Sequence, residues 1–139
     1  MSKIKSLSDN VDIENKRIII RSDFNVPIFN KLIQDNTRID LCIPFIKKLL
    51  NRNAKIFLVS HLGRPKSDKD KNLTLKPVFE YLKKKIQNNI FFYEEKIDEN
   101  TKGKVSFLKK GEIMLFENIR FNSGEIKNDD KFCKNLSSF

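Results

Sequence analysis

The sequence predicts an α/β fold with a mainly parallel sheet, and three features support this prediction. Short apolar runs end abruptly in polar residues, which is typical of buried parallel strands. Segments with apolar residues three and four positions apart lie between these runs, and this is the spacing of amphipathic helices. The order of the segments is strand, helix, strand, helix, strand, strand, helix, which is typical of a layered α/β architecture.

The first predicted strand lies in residues 16–27, where a β-branched run ends in Asp23, Phe24 and Asn25. In open α/β sheets, ligands bind outside the carboxyl ends of the strands, so this carboxylate and amide are candidates for a binding site. Aspartate and asparagine are also favoured in turns, so a turn or capping role for Asp23 stays open.

The second predicted strand lies in residues 54–59, and Ser60, His61, Gly63 and Arg64 follow it. Glycine lets a ligand approach the backbone closely, and an arginine offers a planar fork of donors to a carboxylate or phosphate. His61 is the only histidine of the chain, and a hydrogen-bonded structural role is the alternative for it.

A third run, over residues 113–121, predicts a strand that ends near Arg120. The remaining predicted elements are a strand over residues 89–93 and helices over residues 37–53, 75–86 and 128–138. Arg38, Arg64 and Arg120 each stand at the edge of a predicted element, where a paired contact to an anion could be held in place. Alternatively, Arg38 is an exposed residue of a first helical turn, and the other two arginines are surface ion-pair partners.

The composition indicates one domain with a hydrophobic core. The 139 residues contain no apolar run long enough to cross a bilayer, and the N-terminal segment has no apolar signal region. Cys42 and Cys133 lie far apart and lack metal-ligand spacing, so we expect free thiols and a cytoplasmic location.

The net charge of +10 raises the alternative of a basic nucleic-acid-binding module. Most of this charge comes from lysines spread along the chain, and the paired aromatic signature of an RNA-binding sheet is missing. We therefore expect no nucleic-acid partner. A second enzyme alternative is a phosphatase of the aspartyl-phosphate type with Asp23 as nucleophile, although Asn25 cannot supply the second acid that such enzymes need.

Five segments together resemble the ordered signature of phosphoglycerate kinase. They are SDFNVP at 22–27, DNTRI at 35–39, SHLGRP at 60–65, LKPV at 75–78 and LFENIRF at 115–121. The resemblance implies a Rossmann-like three-layer sandwich with a mainly parallel sheet, as the N-terminal, phosphoglycerate-binding domain of a two-domain kinase. It further implies that residues 1–139 form this domain incompletely and that the C-terminal nucleotide-binding domain is absent.

By this resemblance, the parent enzyme is expected to act in glycolysis and to transfer a phosphoryl group reversibly between 1,3-bisphosphoglycerate and ADP. The implied substrate-binding residues are Asp23, Phe24, Asn25, Arg38, His61, Leu62, Gly63, Arg64 and Arg120. Arg38 is also implied to be catalytic, because phosphoryl transfer depends on positioning and on neutralising the charge of the moving group.

The resemblance also implies the other molecules that take part. Magnesium-bound ATP or ADP is expected as co-substrate on the absent domain, with no cofactor and no metal bound by this chain. The expected partners are 3-phosphoglycerate and 1,3-bisphosphoglycerate, with no nucleic acid, no membrane and a monomeric parent. We expect the chain alone to be inactive and marginally stable, because a truncated sheet leaves an unpaired strand edge.

Overall fold

The structure is a computed structural model that describes residues 6–139. Residues 1–5, the start of the segment expected to lack a signal region, lie outside the described residues. The elements in chain order are β1 (Arg17–Arg21), β2 (Ile28–Phe29), β3 (Leu32–Ile33), α1 (Thr37–Asn51), β4 (Lys55–Val59), α2 (Lys76–Lys85), β5 (Ile90–Tyr93), α3 (Thr101–Lys104), β6 (Ile113–Phe116), α4 (Ser123–Lys127) and α5 (Asp130–Ser137). Two 3₁₀ turns cover Lys71–Leu73 and Ile119–Phe121.

Four parallel strands form the central sheet in the order β1, β4, β6, β5. In register, Ile19 pairs with Phe57, Phe57 with Met114, and Phe91 with Met114. The predicted α/β fold with a mainly parallel sheet is therefore confirmed. Because neighbouring strands run in the same direction, the residues that follow β1, β4 and β6 emerge at one edge of the sheet.

Alternate residues of the strands pack into two apolar clusters, one on each face of the sheet. In β4, Ile56 and Leu58 join the cluster that α1 and α2 cover, whereas Phe57 and Val59 join the cluster on the opposite face. The second cluster also contains Phe132 of α5. Helices on both faces give the three layers expected for this architecture.

The predicted helices are confirmed with small shifts at their ends. The first ends at Asn51, two residues before its predicted end, and the left-handed backbone of Asn53, with φ of 59°, does not continue a helix. The second contains Pro77 in its first turn, where proline is tolerated. The last begins after Asp129, whose carboxylate caps it by accepting the N–H of Phe132 at 2.9 Å.

The third strand is shorter than predicted, and this is a correction. It ends at Phe116, and Arg120 lies in a 3₁₀ turn instead of at a strand end. Asn118 causes the change, because its side chain accepts the N–H of Arg120 at 3.1 Å and so starts the turn.

Two connections were not predicted. The sequence-based order placed β5 directly before β6, but parallel neighbours need a crossover, and α3 lies in that connection. A small antiparallel hairpin joins β2 to β3. Its turn residues Asn30 and Lys31 both have positive φ, at 49° and 62°, as a tight two-residue hairpin turn requires.

Candidate functional site

Three loops meet at the carboxyl edge of the sheet, after β1, β4 and β6. The N–H of Ser22 donates to Val59 at 3.0 Å, and the N–H of Ile119 donates to Ser60 at 3.0 Å. These bonds continue the strand pairing into the loops. The predicted site residues other than Arg38 therefore lie on connected backbone segments.

Arg38, in the first turn of α1, reaches back to the loop after β1. Its Nη1 lies 3.2 Å from Asp23 Oδ2 and 3.1 Å from the carbonyl oxygen of Asn25. Asp23 Oδ1 also accepts the N–H of Asn25 at 3.2 Å, so the turn role left open for Asp23 is confirmed beside the ion pair. The side chains of Arg38 and Asp23 are 56% and 62% exposed, and an exposed pair of this kind leaves both groups accessible to a ligand.

The amide of Asn25 joins the first loop to the second. Its Oδ1 accepts the backbone N–H of Gly63 at 3.0 Å. Since the carbonyl end of the amide is engaged in this way, the NH₂ end is the one available to donate to a ligand. This half-buried side chain is thus oriented by the backbone of the neighbouring loop.

Gly63 has a backbone conformation that a residue with a side chain adopts only with strain. Its φ is +59°, and a Cβ atom there would lie 2.8 Å from Cδ2 of Leu73. Its carbonyl oxygen accepts a hydrogen bond from Nη1 of Arg120 at 3.1 Å. The glycine therefore lets the backbone of this loop contact both Asn25 and Arg120.

Arg120 forms an ion pair, which was the alternative role considered for it. The pair is not a surface pair, however, because its partner is nearly buried. Nε of Arg120 lies 3.5 Å from Oε2 of Glu125, whose side chain is only 9% exposed. The other carboxylate oxygen of Glu125 lies 2.8 Å from Nη2 of Arg21. Arg21 and Glu125 were not predicted as site residues; the position of Arg21 at the end of the first strand was the available signal.

His61 is partly buried at the same edge of the sheet. Burial lowers the pKa of its imidazole below the ordinary value of 6.5, and the positive charges of Arg120 and Arg21 lower the pKa further. Glu125 and Asp23 oppose this shift. The imidazole is therefore neutral at pH 7 and offers one N–H donor and one nitrogen acceptor.

Phe24 and Leu62 stand between the polar residues of the two loops, and their binding role stays a prediction. Their side chains are buried in the core, with 0% and 4% exposure, so a contact of either residue with a ligand would have to use backbone atoms. The N–H of Phe24 donates to Oγ of Ser60 at 3.0 Å, and the carbonyl oxygen of Leu62 accepts from Asn118 at 2.8 Å. These two residues hold the loops in place through packing and backbone hydrogen bonds.

Arg64 is exposed at the end of the second loop. Within residues 6–139 it forms no ion pair, in contrast to Arg21, Arg38 and Arg120. Its guanidinium group is therefore available to an anion.

Asn118 holds the backbone of the site in place from a buried position. The sequence analysis did not predict this structural role. This fully buried amide donates to the carbonyl oxygens of Leu62 and Leu73, both at 2.8 Å, and accepts from the N–H of Arg120. One side chain thus orients the loop after β4 and the turn that carries Arg120.

The chemistry of the site favours an anionic ligand. Four arginines, at positions 21, 38, 64 and 120, outnumber the two carboxylates there, Asp23 and Glu125. The described part of the chain contains no group of three His, Cys, Asp or Glu side chains that could hold a metal ion. In residues 6–139 no helix is long and apolar enough to cross a membrane.

Comparisons with known proteins agree on one family. The family model for phosphoglycerate kinase matches residues 8–139. The chain is 42% identical over 130 residues to the phosphoglycerate kinase of Wolbachia sp. subsp. Drosophila simulans (strain wRi), covering 94% of this chain and 32% of that protein. It is 44% identical over 128 residues to the enzyme of Buchnera aphidicola subsp. Acyrthosiphon pisum (strain Tuc7), covering 91% and 32%.

A solved structure gives the same result. The structure of phosphoglycerate kinase from Coxiella burnetii matches with a TM-score of 0.82 at 34% identity, covering 94% of this chain and 32% of that one. The chain thus spans about a third of the length of the relatives that it matches.

Proposed function

The chain belongs to the phosphoglycerate kinase family, and from this premise we propose that it carries the phosphoglycerate-binding side of such an enzyme. The parent reaction is reversible phosphoryl transfer from 1,3-bisphosphoglycerate to ADP, which gives 3-phosphoglycerate and ATP in glycolysis. One observation carries the proposal: the polar residues of the motifs that resemble this family lie together at one edge of the sheet. The residues gathered there are Asp23, Asn25, Arg38, His61, Arg64 and Arg120.

We assign the phosphate of 3-phosphoglycerate to the loop after β4 and the turn after β6. Arg64 is unpaired within residues 6–139, and Arg120 is held by the carbonyl of Gly63. Guanidinium groups suit this task because their planar donors match phosphate oxygens. His61 adds a neutral donor beside them, and a bound phosphate would stabilise its protonated form.

We assign the glycerate end of the ligand to the loop after β1. The free NH₂ of Asn25 is a donor to a carboxylate or hydroxyl oxygen, and Asp23 is an acceptor for a hydroxyl group. Both side chains are short and start from a rigid strand end, which suits precise positioning.

Arg38 has the catalytic role in this proposal. Its charge is paired with Asp23 through an exposed contact that is easily exchanged for a ligand. In the complete enzyme it would neutralise charge on the phosphoryl group in transit, which is the main demand of phosphoryl transfer.

The magnesium-bound nucleotide belongs, in this proposal, to the part of the enzyme beyond the third that this chain spans. The chain by itself is then a binding domain without phosphotransferase activity. The parent is a monomeric cytoplasmic enzyme whose partners are small phosphorylated acids.

A ligand titration followed by NMR tests the proposal. His61 is the only histidine, so its imidazole signals are assigned without ambiguity. We expect 3-phosphoglycerate to shift these signals at concentrations where inorganic sulfate has a much smaller effect. An absence of any shift would contradict the proposal.

Two further measurements address the alternative functions. Salt-sensitive RNA binding that 3-phosphoglycerate fails to displace would favour a nucleic-acid-binding module. Magnesium-dependent hydrolysis of a phosphomonoester would favour the aspartyl-phosphate phosphatase.

A further inference from the structure

Glu125 is a carboxylate inside an arginine cluster, and neither the sequence motifs nor the proposed function gives it a role. It lies in α4, and its side chain is only 9% exposed. One oxygen lies 2.8 Å from Nη2 of Arg21 and the other lies 3.5 Å from Nε of Arg120. The carboxylate therefore bridges two guanidinium groups.

These two arginines come from different parts of the fold. Arg21 ends β1, which is an edge strand of the described sheet, and Arg120 lies in the turn after β6. Like charges repel, and an anion between two guanidinium groups offsets that repulsion. Glu125 is the anion that contacts both Arg21 and Arg120.

The guanidinium group of Arg120 is held at two points, and Glu125 supplies one of them. Its Nη1 is fixed by the carbonyl oxygen of Gly63 at 3.1 Å. Its Nε is buried and forms no hydrogen bond with any described residue, so the nearby carboxylate is the group that stabilises this end of the guanidinium. A single contact at Nη1 leaves the guanidinium group free to rotate about it, whereas contacts at both Nη1 and Nε fix the plane of the group.

The burial of Glu125 distinguishes this bridge from the other ion pair of the site. The Asp23 and Arg38 side chains are both more than half exposed, and such pairs hold their partners weakly. Glu125 is only 9% exposed and Arg120 is 26% exposed, so water screens the attraction between these two less, whereas Arg21, at 55%, is screened more.

We propose that Glu125 is a positioning residue that holds the guanidinium groups of Arg21 and Arg120 together at the site before an anionic ligand arrives. The phosphate of the ligand then meets donors that are already ordered, and this reduces the entropy lost on binding. The identity of that ligand rests on the proposed function. The positioning itself does not, and can be measured without any ligand.

The first test compares the Nε–Hε groups of Arg21 and Arg120 by ¹⁵N relaxation and by solvent exchange. Glu125→Gln keeps the shape of the side chain and removes its charge. Glu14→Gln is the matched control, because Glu14 pairs with Lys110 at 3.4 Å near the amino ends of β1 and β6, opposite the site. We expect both arginine signals to become more mobile in Glu125→Gln alone. Unchanged order in that variant would overturn the inference.

The second test measures the binding of 3-phosphoglycerate by calorimetry. Removing a negative charge should by itself strengthen the binding of an anion. We nevertheless expect Glu125→Gln to bind about tenfold more weakly than wild type, the size of one lost charged hydrogen bond. Tighter binding would overturn the inference, since Glu125 would then act only as a competitor for the arginines.

The two tests separate the inference from the proposed function. If wild type does not bind 3-phosphoglycerate, the proposed ligand is wrong, and the NMR test still decides the role of Glu125. If Glu125→Gln fails to fold, Glu125→Asp keeps the charge and withdraws the carboxylate by one methylene. Mobile arginines in that variant support the inference, and rigid ones contradict it.

Discussion

The backbone N–H of Gly63 donates to the side-chain oxygen of Asn25 at 3.0 Å, and this bond joins the loop after β1 to the loop after β4. It occupies the oxygen of the amide, so the NH₂ end is the one that can donate to another group, and the Gly63 carbonyl accepts from Arg120. Hydrogen bonds therefore connect three of the predicted site residues, Asn25, Gly63 and Arg120.

Asn25→Ala should weaken ligand binding and, to a smaller degree, stability. The change removes the partner of the Gly63 N–H, which costs about 1 kcal/mol of folding free energy. It also removes the proposed donor to the glycerate, so the Kd for 3-phosphoglycerate should rise about tenfold. Urea unfolding and calorimetry measure the two effects. Asn72→Ala, at an exposed position outside the three site loops, is the control and should change neither value.

Gly63→Ala should destabilise the chain by about 1–3 kcal/mol, because the residue has a φ of +59° and its new Cβ would lie 2.8 Å from Leu73. Gly103→Ala is the matched control. Gly103 lies in α3 with no atom within 4 Å of its Cβ position, so alanine there should be neutral or stabilise by about 0.5–1 kcal/mol. Equal unfolding midpoints for the two variants would contradict this account.

Asn118→Ala should destabilise the chain by about 1–3 kcal/mol and disorder the turn that carries Arg120. The variant leaves the carbonyl oxygens of Leu62 and Leu73 without their donor in a buried place. Amide hydrogen exchange should show faster exchange at Arg120, whose N–H loses its acceptor. Exchange at Arg120 that stays as slow as in wild type would show that Asn118 does not order the turn.

Arg38→Ala should weaken ligand binding while changing the stability of the fold only slightly. The pair with Asp23 is exposed, so unfolding should change by no more than about 1 kcal/mol. The loss of a guanidinium should weaken the binding of 3-phosphoglycerate about tenfold or more, because hydrogen bonds to charged groups are the strong ones. Lys48→Ala removes an equally exposed positive charge, paired with Asp9, and should leave binding unchanged. Similar affinities for the two variants would argue against a ligand role for Arg38.

The pH dependence of His61 gives a further prediction. Burial and the neighbouring arginines lower its pKa in the folded chain below 6.5, the value in the unfolded chain. The unfolded state therefore binds the proton more readily as the pH falls. The stability that comes from the neutral imidazole is present above pH 6.5 and is lost as the pH falls through the folded pKa.

An NMR titration of the single histidine measures this directly. A pKa at or above 6.5 in the free chain would contradict the lowered value. Addition of 3-phosphoglycerate should raise the pKa, because a bound phosphate stabilises the imidazolium ion.

Local sequence signals were sufficient for the parallel sheet and its main helices. The run that ends at Val59 is apolar apart from Lys55, and the other residues of β4 are buried between β1 and β6. The hairpin of β2 and β3 was missed because its strands are two residues long, too short for any periodic pattern. The crossover between β5 and β6 was missed for a similar reason, since α3 has only four residues.

The sequence by itself determined which residue types stand at the ends of the strands, because strand periodicity and chain order are local properties. On that basis Asp23 and Asn25 were expected after the first strand and Arg120 at the end of the third, which in the structure ends earlier, at Phe116. Only the tertiary structure decided that Phe24 and Leu62 point into the core and that Glu125 lies between Arg21 and Arg120. The physical reason is that burial and ion pairing depend on distances between segments far apart in the chain, and no local pattern records those distances.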